Sequence, residues 1–367
     1  MIKKHCFTVE WLNKFKAQKE YQKIDIAILE KMIYALHLLE RIKTNGLNFI
    51  FKGGTSLILL LKEGNRFSID IDIITKTERK SLEHILDKVI ASSNFKSFKY
   101  DESRSLMDGI PKIHYSFTFD PVAKGKFSGQ IFLDVLIEDN HYPELIEKSI
   151  QTKWIETDAD IKIFLPSIDS IAGDKLTAFA PNTIGIPYFK GSNQQSFSME
   201  ICKQLFDLSK MFEKINNIDI VAKSFKAFAN KEIEYRKSRL YYLTPDKALQ
   251  DSIDTCAILA KNGKGSKDEK LKFAELQKGI KAFGSGFLMK GKFRIDDAIQ
   301  AAARVAYISA KLLYNDLSPI EYYNKQNVKT MNIENQNWNF LNRLKRQPNK
   351  SGYFYWYKTL EIMNLIN

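Results

Sequence analysis

Two aspartates separated by one residue are the groups in this chain best placed to do chemistry. Asp70 and Asp72 lie in Ser68-Ile69-Asp70-Ile71-Asp72-Ile73-Ile74, a polar/apolar alternation with β-branched partners that predicts a half-buried strand. Residues i and i+2 of a strand share a face, so the carboxylates sit side by side. Like charges held that close call for a cation between them. A hard divalent ion with oxygen ligands, Mg²⁺ or Mn²⁺, carrying a nucleoside triphosphate is the chemistry this suggests.

Upstream, the apolar run Leu47 to Phe51 reads as a buried strand that leads into Gly53-Gly54-Thr55-Ser56. The glycines allow positive φ and a close backbone approach. Thr55 or Ser56 then opens a short apolar helix and offers a hydroxyl and unpaired N–H groups to an anion. Gly53, Gly54, Thr55 and Ser56 are therefore candidate nucleotide-binding residues, although a strand, turn and capped helix with no ligand would use the same residue types. Ser68 shares the strand face of Asp70 and joins the candidates; a phosphate added there would bring roughly −1.5 to −2 charge beside the carboxylates and inactivate the site.

A third carboxylate, Asp134, interrupts the apolar strand Gln130 to Ile137. A charge there costs several kcal/mol unless it is coordinated or paired with a buried Lys or Arg. Lys175 lies in a short helix between Pro166 and Pro181, four residues from both Ile171 and Phe179. It is on or beside an apolar face, where a lysine can simply snorkel. Asp207 sits among Ile201, Leu205, Leu208 and Met211 on a later helix, four residues after Lys203, which predicts an intrahelical ion pair as its plain role.

The sequences GGTSL at 53–57 and RFSIDIDI at 66–73 resemble the first motif of the nucleotidyltransferase fold as it occurs in the AbiEii/AbiGii toxins of type IV toxin-antitoxin systems. The interval from Gly54 to Asp70 is longer than in many other nucleotidyltransferases and suits this family. The resemblance implies that the Gly-Gly turn holds the triphosphate and that Asp70, Asp72 and Asp134 hold the metal, with Asp134 also able to take a proton from the attacking hydroxyl. It implies that Lys175, in a D-K-L context, reaches the β/γ-phosphates, and that Asp207 belongs to the fourth motif, K-x-x-x-D-L. It further implies growth arrest as the outcome, a cognate antitoxin as partner, and an acceptor that in some members is the end of tRNA. The resemblance covers mainly residues 47 to 210.

The elements needed to position these groups can be read from periodicity. A core-packing helix is expected from about Ile24 to Ile42, another from Ser81 to Ile90, and strands over 95–101 and 111–120 with Asp108-Gly109 between them. Residues 182–198 collect Gly, Pro, Asn and Ser as a linker or active-site loop. Beyond Met199 the periods are helical, at about 246–262, 267–283, 295–315 and 335–347. The expected architecture is α+β: a nucleotidyltransferase core of mixed sheet and helices over residues 1–190, then a helical domain over 191–367.

Composition bounds the partners. The 367 residues are 44% hydrophobic and 12% aromatic, enough for two folded cores, and 56 Lys+Arg against 43 Asp+Glu leave +13. That surplus favours a polyanion such as RNA. Lys261, Lys264, Lys267, Lys290, Lys292 and Arg294, near Phe273, Phe283, Phe287 and Phe293, and Arg236, Lys237 and Arg239 beside Tyr241 and Tyr242, are the candidate RNA-facing patches. Cys6, Cys202 and Cys256 form no metal or disulfide pattern, and the five histidines have no ligand spacing. No run approaches the roughly 18–20 apolar residues that span a bilayer, so a soluble cytoplasmic protein is expected. The rival readings are a nucleotidyltransferase acting on a small molecule or a protein hydroxyl, and a catalytically silent binding module; metal-dependent nucleotide binding separates the last from the others.

Overall fold

The computed structural model describes residues 1–61, 66–105, 110–123, 129–191, 193–236, 242–325 and 327–366. The expected Asp108-Gly109 turn and Lys237, Arg239 and Tyr241 of the second basic patch lie outside the described residues. The chain divides into two compact units, Met1–Ser167 with Gly286–Lys292, and Ile168–Ser285 with Phe293–Asn367. The domain boundary was expected near 190; the units divide at 167.

The first unit runs α1 (Val9–Lys16), α2 (Ile26–Thr44), β1 (Ile50–Lys52), α3 (Gly53–Leu60), β2 (Ile71–Thr75), α4 (Arg79–Ala91), β3 (Phe95–Tyr100), α5 (Glu102–Ser105), β4 (Lys112–Phe119), β5 (Gln130–Ile137), β6 (Leu145–Ser149) and β7 (Lys162–Pro166). Among the described residues, seven strands form one mixed sheet in the order β3-β4-β5-β2-β1-β7-β6. β2 runs parallel to β5 and antiparallel to β1, and β4 is antiparallel to β5. Ile71, Ile73, Leu133, Val135, Tyr115 and Phe117 are buried in the core of this unit. Phe132, Asp134 and Leu136, at the alternate positions of β5, are only half-buried, so the strand is apolar on both faces apart from Asp134, as expected, but only one face is fully covered.

α2 is the central helix. Asp25 caps it by accepting from the Ala27 N–H at 2.9 Å, and it is buried without a break from Ala27 to Glu40, more than the single stripe its period predicts. Its acidic residues are buried because they serve the backbone: Glu30 accepts from the N–H groups of Val122 and Ala123 at 2.7 and 3.0 Å, and Glu40 from that of Ile2 at 2.6 Å. The segment Gly286–Lys292 returns to this unit. Leu288 bridges to Arg66, the Phe67 N–H donates to Phe287 O at 2.7 Å, and Met289 joins the core.

The second unit contains α6 (Ile168–Ala178), the hairpin β8 (Phe189–Lys190) and β9 (Gln195–Ser196), then α7 (Ser198–Met211), α8 (Ile218–Arg236), α9 (Pro245–Lys261), α10 (Lys267–Gly286), α11 (Ile295–Leu313), a 3₁₀ helix over Asn339–Arg346 and α12 (Ser351–Ile362). α6 belongs to this unit because it lies tightly on α8: a Cβ at Gly173 would meet Val221 O and Ser224, and the Ser224 hydroxyl donates to Ser170 O at 2.6 Å. α9 starts with Thr244 as cap and Pro245 in the first turn, and ends at Asn262 with φ 49°. No described helix is long and apolar enough to cross a membrane.

Candidate active site

The register of the sheet lines up four charged or titratable residues from four neighbouring strands. Lys52 of β1 stands opposite Asp72 of β2, Asp72 is paired with Asp134 of β5, and Asp134 is opposite His114 of β4. Asp72 and Asp134 are thus adjacent across a parallel pair, about 5 Å apart by strand spacing. Asp134 is held by Lys112 Nζ at 2.9 Å and His114 Nδ1 at 2.5 Å. A lysine partner was foreseen as an alternative for Asp134, and one is present, though Lys112 is 37% exposed and the buried partner is His114.

The two carboxylates are driven apart in their titration. Burial, then the neighbouring Asp134, raise Asp72 to about 6, with Lys112 and Lys52 working in the opposite sense. Burial also opposes ionisation of Asp134, but the bonds from His114 and Lys112 outweigh it and hold that carboxyl below the usual carboxylate range. Asp70 is exposed immediately before β2, which begins at Ile71. It interacts electrostatically with Lys31 of α2, whose ammonium is pushed below the ordinary lysine value by burial while Asp70 opposes that shift.

The Gly-Gly turn is shaped around these groups. Gly53 has φ +76°, and a Cβ there would run into the Asp72 carboxylate. At Gly54 a Cβ would strike the Arg66 guanidinium and come within 3.1 Å of Ser68 Oγ. α3 begins at Gly53 itself, two or three residues earlier than expected, and its N-cap Lys52 provides no side-chain cap. The hydroxyls of Thr55 and Ser56 point inward. Thr55 Oγ1 lies 2.8 Å from Ser68 Oγ and 2.5 Å from Asp70 O, and Ser56 donates to Gly53 O at 2.8 Å. Both residues are fully buried, so what this segment offers to an anion is its backbone N–H groups.

Among the described residues no three His, Cys, Asp or Glu side chains form a ready-made metal cluster. The donor chemistry nonetheless fits a hard divalent cation: a carboxylate at Asp72 that burial and a like charge make costly, an adjacent Asp134, and bare backbone at Gly53 where a side chain would fill the space. Asp70 supplies a further carboxylate from an exposed position.

Lys175 and Asp207 belong to the second unit, where α6 and α7 bring them together. Lys175 Nζ lies 2.7 Å from Asp207 Oδ2 and 2.9 Å from Gln204 Oε1, and both residues are buried. Lys175 is thus not snorkelling at the surface. Lys203, four residues before Asp207, has Glu200 at 3.8 Å. Four residues of the sheet site were missed in the sequence: Lys52, Arg66, Lys112 and His114. Lys112 and His114 show the i, i+2 alternation of β4, but only the strand register joins them to Asp134.

The aromatic residues expected to face RNA are mostly core. Phe273, Phe283 and Phe293 are buried, and Phe283 and Phe293 pack with Phe206 at 5.0–5.6 Å between centroids. Phe273 and Phe283 lie on α10 and Phe293 just before α11, and the apolar core takes all three.

A family model described as the nucleotidyl transferase AbiEii toxin of type IV toxin-antitoxin systems matches residues 37–287. No curated protein matches the chain. Two solved structures are similar to it at low identity. A candidate nucleotidyltransferase from H. pylori is 15% identical, with 68% of this chain and 95% of that one covered and a TM-score of 0.33. The nucleotidyltransferase toxin MenT4 from Mycobacterium tuberculosis is 12% identical, with 83% and 98% covered and a TM-score of 0.44.

Proposed function

The chain belongs to the AbiEii family of nucleotidyltransferase toxins of type IV toxin-antitoxin systems, and from that premise we propose that it transfers a nucleoside monophosphate from an NTP to RNA, with tRNA as the acceptor. That it is a nucleotidyltransferase, using an NTP and restrained by a cognate antitoxin, follows from the family. The acceptor, the metal and the roles of individual residues are the proposal. The observation that carries it is the pairing of Asp72 with Asp134 beside the bare backbone of Gly53.

Asp72, Asp134 and Asp70 would hold Mg²⁺ or Mn²⁺, which when bound neutralises phosphate charge and lowers the pKa of the acceptor hydroxyl. The N–H groups at the start of α3 bind phosphate oxygens, and Gly53 and Gly54 keep side chains out of the way. Asp134, oriented by His114 and Lys112, receives the proton of the acceptor hydroxyl. The acceptor oxygen bonds to the α-phosphorus, the bond to the β-phosphate oxygen breaks, and pyrophosphate leaves. For Lys175, held by Asp207, the family resemblance is what supports a role on the leaving phosphates. The work is done in a reducing cytoplasm, where the three cysteines, all free and buried, stay thiols.

The test is incubation with each labelled NTP, Mg²⁺ and total tRNA, with the labelled species identified. Label on tRNA that disappears with Asp72→Asn is the expected result. Label confined to protein or to a small molecule would replace the RNA acceptor and keep the transfer chemistry.

A further inference from the structure

The second unit carries an open cleft of about 710 Å³ and, beside it, a smaller pocket of about 330 Å³; Lys261 and Phe340 line both, so the two adjoin. Their charges differ. The pocket is lined by Lys261, Lys264, Arg343 and Arg346 together with Phe340 and two asparagines, and no carboxylate lines it. In the cleft two of the three lysines are matched by acids, Lys261 with Glu269 at 2.5 Å and Lys272 with Asp268 at 2.8 Å, the third, Lys247, donates to Tyr242 O, and Asp251 and Asp254 add further carboxylates. Its wall is aromatic: Trp338 and Phe340 lie nearly parallel, 27° apart with centroids at 6.1 Å, and both are partly exposed.

A basic pocket without acids suits phosphates. An aromatic cleft whose carboxylates outnumber its lysines disfavours phosphates but takes flat rings whose exocyclic amino groups can donate. Side by side, the two features match the alternation of backbone and base in an unstacked strand. We infer that this surface binds single-stranded RNA, with backbone phosphates on Lys264, Arg343 and Arg346 and bases against Trp338 and Phe340. The inference rests on the RNA acceptor proposed above and gives it a docking surface formed by the α9–α10 turn and the 3₁₀ helix.

The turn supplies Lys261 and Lys264, which the sequence had marked as basic. The 3₁₀ helix over Asn339–Arg346 supplies the rest, and nothing in the sequence joins it to that turn. Phe340 links the halves, since Lys261 Nζ lies 5.7 Å from its ring centroid. Arg343 is anchored by donating to Ala260 O at the end of α9, which fixes the pocket to the helix that lines the cleft.

Binding of a fluorescent, unstructured RNA to the full chain tests this by anisotropy across a salt series. Lys264→Glu/Arg346→Glu, both at exposed positions, is expected to weaken binding at least tenfold and to lower the log–log salt slope by about 1.4, two single-strand contacts at roughly 0.7 each. Phe340→Ala is expected to weaken binding roughly five- to hundredfold with the slope unchanged. RNA affinity unaltered in both variants overturns the assignment even if tRNA is labelled by the enzyme. An acidic polypeptide bound as tightly as RNA and lost with the charge reversals, with Phe340→Ala silent, identifies a protein site and also overturns it. Absence of tRNA labelling with the variant effects on RNA intact would instead strike the acceptor proposal, so the two failures are distinguishable. Circular dichroism and metal-dependent NTP binding of each variant verify that the fold and the catalytic unit are retained.

Discussion

Asp72 and Asp134 are direct partners across the parallel strands β2 and β5, yet their carboxyls titrate in opposite directions, Asp72 upward to about 6 and Asp134 downward. One has its charge compensated by His114 and Lys112. On the other, burial and Asp134 outweigh Lys112 and Lys52.

Metal binding should therefore release a proton from Asp72 in weakly acidic solution. A carboxyl raised to about 6 is protonated below that pH and must ionise to become a ligand. Mg²⁺ affinity should fall roughly tenfold per pH unit below about 6, with proton release seen by calorimetry in buffers of different ionisation enthalpy. The folded state binds this proton more tightly than the unfolded chain, so the stabilisation is present below the ordinary carboxylate pKa and is lost as pH rises through about 6. Asp72→Asn should raise neutral-pH stability by about 1–3 kcal/mol while abolishing transfer. Wild-type transfer by this variant would remove Asp72 from the site.

Gly53→Ala should cost both stability and activity, and Gly46→Ala stability alone. Both glycines have positive φ, +76° and +93°, but a Cβ at Gly46 meets nothing within 4 Å, whereas one at Gly53 meets Asp72. Each substitution adds backbone strain of about 1–2 kcal/mol; only the first displaces a carboxylate. Thermal unfolding and initial rates of the pair separate the two effects, and equal rates would show that Asp72 tolerates displacement.

His114→Phe should destabilise the protein by about 1–3 kcal/mol, because Asp134 loses a hydrogen bond to a half-buried oxygen. Stability tied to a depressed carboxyl is present above its unfolded pKa and disappears as pH falls through the folded value. The gap between wild type and variant in urea unfolding should therefore be widest at neutral pH and narrow in acid. Activity should drop about 10- to 100-fold, as for an orienting partner of a ligand.

Lys175→Met should destabilise by about 3–5 kcal/mol by leaving Asp207 buried without its cation, and Lys175→Met/Asp207→Leu should recover most of that loss. Activity should stay low in both. Recovery of the rate along with stability in the double variant would make the pair purely structural.

What could be read from the sequence is what local spacing determines. The alternation around Asp72 sets its strand face, the paired glycines announce a turn, and the lone charge at Asp134 in an apolar strand demands a partner. Which partner it has depends on register between β4 and β5, twenty residues apart in the chain at His114 and Asp134. Nothing in the alternation of β4 sets that register. Asp207 shows the same limit on helices: spacing proposes Lys203, while packing of α6 beside α7 delivers Lys175. The short strands β6 and β7 and the helices α8 and α12 were not singled out because their stability comes from neighbours rather than from a long internal period.

The strand-like return of residues 286–292 sets a timetable for synthesis. Arg66, which stands against Gly54 in the nucleotide turn, is bridged to Leu288, more than two hundred positions downstream. A ribosome has made the sheet, the glycine turn and every carboxylate of the site long before it reaches Leu288. Until that segment emerges, the backing of the turn is missing and the nascent chain carries an unfinished catalytic unit. A chain made in this order lacks its complete first unit for most of its elongation.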